Sequence, residues 1–139
     1  MVAYQVPVLF ACLSALAMVG VVSGQTTSMQ YLAAHNFPRS TVKVAQMVWS
    51  ASLAAIAESY ANHTSVTGTV AVQAWVGEKQ YYNYVSNTCA TGKVCSHYTQ
   101  VVWNVSINLG CARVTCNSGS VIVICNYDPP GNFPGVRPY

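Results

Sequence analysis

The apolar positions of this chain change period halfway along it. From Ser28 the stretch SMQYLAAHNF sets Tyr31, Leu32 and His35 on one helical face, and Pro38 is expected to stop the helix. VAQMVW follows as a short apolar connector. A second helix is predicted over SASLAAIAESYANH, with Leu53, Ile56, Ala57, Tyr60 and Ala61 at helical spacing, a Ser50 or Ser52 cap, and Glu58 on the wet side. A third, GTVAVQAWVGEK, brings Val72, Trp75 and Val76 inward and places Glu78 near its end. Beyond it YTQVVW, GCARVTC and SVIVICNY alternate or run apolar over strand lengths. Three helices followed by three strands make an α+β domain.

The last two strands flank NSG and read as a hairpin. A three-residue loop of Asn117, Ser118 and left-handed Gly119 sets Cys116 against Ser120, and the register then opposes Cys111 to Cys125. Opposed antiparallel positions lie at disulfide distance. Cys89 and Cys95 close CATGKVC, where Gly92 permits the turn, and Cys116 is left unpaired. The tail DPPGNFPGVRPY has prolines, glycines and no periodic face, so it is expected to be extended.

Residues 1–24 carry no charge and are nearly all apolar from Val6 to Val22, the pattern of a signal peptide cut to leave Gln25; a retained anchor is the other reading. Export implies an oxidising compartment and a secreted, extracellular protein. Of six cysteines, Cys12 would leave with the signal, so an odd number remains. The net charge of +3 comes from six scattered bases against three acids, with no basic stripe for nucleic acid. The protein is expected to be a monomer, with an intermolecular disulfide through Cys116 as the one covalent route to a dimer.

At HYTQVVW, LGCARVTC and CNYDPPGNFPGVRPY, and again at YLAAHN and WVGEKQYYNY, the chain resembles the plant pathogenesis-related protein 1 family of the CAP superfamily, over nearly all of residues 25–139. The resemblance implies an α-β-α sandwich with a central antiparallel sheet, and apoplastic secretion in defence. It also implies a cavity of two His and two Glu, of which this chain keeps Glu78 and His97. The family segment bearing a cysteine, an HS pair and a GEN motif is missing between Tyr60 and Trp75, so the domain is truncated between its second and third helices. That segment would also have supplied the partner of Cys116.

The chemistry follows from what is left. A metal needs three or more converging ligands; Glu78 and His97 supply two, His63 lies near the gap, and His35 reads as a buried structural residue. No metal or other cofactor is expected, and His97 is expected to be hydrogen-bonded beneath the sheet, to Glu78. Ser96 would point away from His97 on a strand, and a Cys116–His pair has the plainer explanation of a lost disulfide, so an enzyme is not expected; the alternatives are a metal-dependent hydrolase or a poorly folding shortened chain. Trp75, Tyr81, Tyr82 and Tyr84 form either core or, as the resemblance implies, a contact for a sterol or fatty acid. The resemblance further implies cutting between Asp128 and Pro129 to free a signalling peptide for a receptor, against the plainer reading of a tail closed down by Arg137 and Tyr139. Asn62 and Asn104 fit the glycosylation acceptor pattern.

Overall fold

The computed structural model describes residues 26–59, 67–115 and 121–139, with Val114, Thr115 and Val121 as backbone alone. The expected signal segment, Asn62, His63, Cys116 and the NSG loop lie outside these residues, as do Tyr60 and Ala61 of the predicted second helix.

Helix α1 (Ser28–Thr41) starts in a capping box: Thr27 Oγ1 accepts from Gln30 N at 3.3 Å and Gln30 Oε1 accepts from Thr27 N at 2.7 Å. Pro38 does not stop it. The proline sits in the last turn, where one lost backbone hydrogen bond is tolerated, and the helix instead ends past it on left-handed Lys43 (φ 61°). There Lys43 N bonds Ser40 O and Val44 N bonds Arg39 O, both at 3.2 Å, the paired closure of a Schellman motif.

The connector contains strand β1 (Val48–Trp49), which runs parallel to β4 (Asn108–Thr115); β4 pairs antiparallel with β5 (Val121–Asp128). The sheet is therefore mixed, with the expected antiparallel hairpin and an added parallel edge strand. Cys111 stands opposite Cys125, as the register predicted, and the two are bonded; Cys89 and Cys95 are bonded as well.

Alternate residues of β4 face different helices, which makes the layered α-β-α arrangement. Leu109 and Cys111 join Tyr31, Met47 and Val72 in a buried cluster under α1 and α3 (Gly68–Gly77). Gly110 faces α2 (Ala51–Ser59), and a Cβ built there would lie 2.1 Å from Ala54 N. That approach requires glycine. It also orients α2 so that Ala57 is buried while Ile56, predicted to face inward, is half exposed. Ser50 caps α2 through Leu53 N, and Glu58 is exposed as expected.

The predicted strand YTQVVW is instead helix α4 (Ser96–Val101), preceded by a 3-10 turn (Glu78–Tyr81) and the short hairpin β2 (Tyr82–Asn83) and β3 (Thr88–Cys89). Short apolar runs do not distinguish strand from helix. Here the choice is made by Glu78, whose Oε2 accepts from the first-turn N–H groups of His97 (3.1 Å) and Tyr98 (3.2 Å), and by burial of Tyr98, Val101 and Val102 in a second cluster.

At the other end of α4 stands Arg39, one of the six scattered bases. It is fully buried. Its guanidinium donates to the carbonyls of Ala45 (2.7 Å), Val101 (3.1 Å), Trp103 (2.7 Å) and Asn104 (3.3 Å). Burial pulls it down to about 10, so it stays charged at neutral pH and meets the negative end of α4.

Candidate functional site

His97, the partner of Glu78, lines a cleft of about 400 Å³ between α3, α4 and β5 together with Trp75, Ser96, Gln100 and Tyr127 among others. His97 Nδ1 donates to Glu78 Oε1 at 2.6 Å. The expected bond is present, but the His97 side chain is 52% exposed, against 16% for Glu78, so the ring is not closed beneath the sheet. A helix, not a strand, carries it, and the α4 first turn sets it at the surface.

Trp75 stacks on the His97 ring (5.7 Å between centroids, 12° between planes) and presents an edge-type contact to His35 at 6.4 Å. It therefore stands between the two histidines. His35 is fully buried: Nδ1 donates to Tyr31 O and Nε2 accepts from Tyr127 Oη, both at 2.8 Å. A carbonyl on one nitrogen and a hydroxyl on the other fix a neutral tautomer. Burial, reinforced by the nearby charge of Arg39 and opposed by the Tyr31 carbonyl, lowers its pKa to about 4. The structural role expected for His35 fits this environment.

The donors do not fit a metal centre. Both Glu78 oxygens are engaged by α4, and among the described residues no third ligand joins the pair. The group that does cluster, His35 with Cys111 and Cys125 within 4.8 Å, has its sulfurs bonded to each other. Ser96 lines the cleft beside His97 rather than pointing to an opposite face, yet among the described residues no hydrogen bond joins its hydroxyl to the ring.

The aromatic residues named from the sequence do not line one cavity. Trp75 belongs to the His97 cleft, Tyr81 lies under Lys93 Nζ (4.9 Å), Tyr82 packs on Tyr98 (5.9 Å) and Tyr84 stacks on Tyr139 (4.7 Å, 11°). The tail packs on Tyr84 through Arg137 and Tyr139. Pro138 is buried, and Asp128 and Pro129 are exposed at the tail's start. Asn104 is exposed on the turn after α4, while Ser106 of the same acceptor pattern is buried and donates to Pro129 O at 2.7 Å.

The sequence reading passed over an apolar groove of about 460 Å³ between α1 and α3, walled by Ala33, Ala34, Phe37, Thr69, Gln73 and Val76. Its signal was a second apolar stripe on α1, with exposed Ala33 and Phe37 turned away from Tyr31 and His35 and Ala34 bridging the two faces. Phe37 is 75% exposed at its rim. No helix of the described residues is long and apolar enough to cross a membrane.

Residues 64–127 match the family model described as CAP, the cysteine-rich secretory protein family. The chain is 42% identical to pathogenesis-related leaf protein 4 of Solanum lycopersicum, with 98% of each chain covered, and 44% identical to pathogenesis-related protein 1A of Nicotiana tabacum, covering 83% and 82%. The tomato alignment runs over 156 positions although this chain has 139 residues, so that relative carries positions with no counterpart here. Among solved structures, Schistosoma mansoni venom allergen-like protein 4 shares the fold at a TM-score of 0.66 and 22% identity, over 80% of this chain and 92% of that one. With this fold and these relatives, the chain belongs to the CAP family, in its plant pathogenesis-related protein 1 branch.

Proposed function

We propose that the protein is a secreted, extracellular defence protein that acts without catalysis, by holding a sterol or fatty acid. The observation that carries this is the apolar groove between α1 and α3, whose volume of about 460 Å³ falls within the roughly 300–1,000 Å³ of small-molecule sites. The sequence had pointed to the aromatic hairpin, but Tyr82 packs on Tyr98 and Tyr84 stacks on Tyr139, so these rings do not enclose a common cavity, which favours the groove. Retention of radiolabelled palmitate and cholesterol by the full chain tests it. Phe37→Asp puts a charge at the rim without touching a buried residue and is expected to abolish retention. A wild-type chain that retains neither ligand, or a Phe37→Asp chain that retains as much, overturns the reading.

A second reading, that the tail is a precursor of a defence signal read by a receptor, is favoured by the exposure of Asp128 and Pro129 where the sheet ends. Asp128→Ala should block release of residues 129–139 in extracellular plant fluid. Equal release from both proteins would remove it.

A further inference from the structure

Residues 137–139 are held by side-chain contacts specific to each of them. Arg137 donates from Nε to Tyr84 O (3.1 Å) and from a terminal nitrogen to Val85 O (2.7 Å), with its guanidinium 5.8 Å from the Tyr84 ring centre. Pro138 is fully buried and its carbonyl accepts from Asn104 N at 2.7 Å. The Tyr139 ring lies on Tyr84, its hydroxyl is 3.1 Å from Tyr98 Oη, and Tyr84 Oη donates to its backbone oxygen. Earlier in the tail, Gly131 N bonds Gln100 Oε1 (3.0 Å) and Asn132 bonds Ser96 O (2.8 Å) and Thr99 Oγ1 (2.7 Å).

The wall is built for this occupant. Tyr84 supplies a ring face and a hydroxyl, Tyr98 a second hydroxyl, and Arg137 finds two backbone carbonyls at the hairpin tip. Contacts that identify a guanidinium, a proline and a ring in that order make a peptide-recognition slot.

We propose that this slot is a binding site for the chain's own tail sequence, which it keeps bound after the Asp128–Pro129 bond is cut. This rests on the tail-release reading only for the cut itself. Hydrolysis adds water's hydroxyl to the Asp128 carbonyl carbon and its proton to the Pro129 nitrogen; none of the contacts from Gly131 onward is touched. The freed segment is then a bound peptide whose departure, not its cutting, limits its release.

The test needs no protease. Full-length chain with Arg137→Ala and Tyr139→Ala loses its hold on its own tail and leaves the slot open; fluorescence anisotropy then reads a dye-labelled peptide of residues 129–139 binding in trans. The double variant should bind at least about tenfold more tightly than wild type, where a tethered tail competes at an effective concentration near millimolar. A peptide ending in Ala instead of Tyr should bind markedly less, and adding Tyr84→Ala to the variant should abolish binding. The single variant Arg137→Ala, which leaves Tyr139 packed on Tyr98, guards against misfolding and should show the same direction. A folded double variant that ignores the peptide, or a wild type that binds equally well, overturns the proposal. If the peptide binds but extracellular fluid never cuts the chain, the slot stands and the release reading falls.

Discussion

Acid should weaken this protein through one buried ring. His35 is enclosed by α1, α3 and β5, with Arg39 the charged group acting on it, Tyr31 O and Tyr127 Oη on its nitrogens, and the Cys111–Cys125 bond beside it. Its folded pKa, about 4, lies below the ordinary value of 6.5. Between those values the unfolded chain binds a proton that the folded chain refuses, so stability falls as pH falls from 6.5 toward 4 and is unaffected by this group above 6.5. At about 1.4 kcal/mol per tenfold, the full loss is about 3 kcal/mol, a large share of the roughly 5–15 kcal/mol of an ordinary domain. Urea unfolding at half-unit steps from pH 7.5 to 4 measures it. His35→Gln keeps a donor for Tyr31 O and an acceptor for Tyr127 Oη but cannot titrate. Its stability is lower throughout, yet its acid slope should be flatter by nearly one proton; carboxylates titrate in both proteins and cancel in the difference. A folded His35→Gln chain with the wild-type slope would refute the assignment of the acid sensitivity to His35.

Arg39→Ala leaves the carbonyls that the guanidinium satisfied without a partner in a closed interior. Unfolding should become easier by about 3 kcal/mol or more, and Arg39→Lys should recover only part of it because one ammonium cannot span four carbonyls. Gly110→Ala drives a methyl into the α2 backbone at Ala54 and should cost at least about 2 kcal/mol in thermal or urea melts. Gly77→Ala, where an added Cβ meets nothing within 4 Å, should be neutral or stabilising by about 0.5–1 kcal/mol.

What could be read from the sequence was what depends on neighbours in the sequence. The Cys111–Cys125 pairing followed from one loop length and the register it sets, and the inward positions of α3 followed from helical spacing. The α4 segment was misread as a strand because its helix depends on a carboxylate 19 residues earlier, which no local pattern contains. Pro38 was taken as a stop because its ring is a local fact, whereas the helix end is fixed by the αL turn at Lys43. The burial of Arg39 had no local signal, since three of the four carbonyls that enclose it come from residues 101–104. The groove needed two helices to be placed side by side before its apolar walls had a common space.

Glu78 has a structural role that needs no further cavity residue. Its Oε2 caps α4, and its Oε1 accepts a hydrogen bond from His97 Nδ1, whose ring is stacked on Trp75. Cys95, at the N-cap, offers no side-chain bond, so without the carboxylate the first-turn N–H groups of a six-residue helix would lose their acceptor. That helix carries Tyr98, Val101 and Val102, the second buried cluster, and its Tyr98 hydroxyl forms the floor of the tail slot. The same two residues that a metal or a reaction would need are thus already spent on a local structure that both the cleft and the tail depend on. Glu78 therefore serves the fold whatever the cleft binds, and His97 is held where Glu78 holds it.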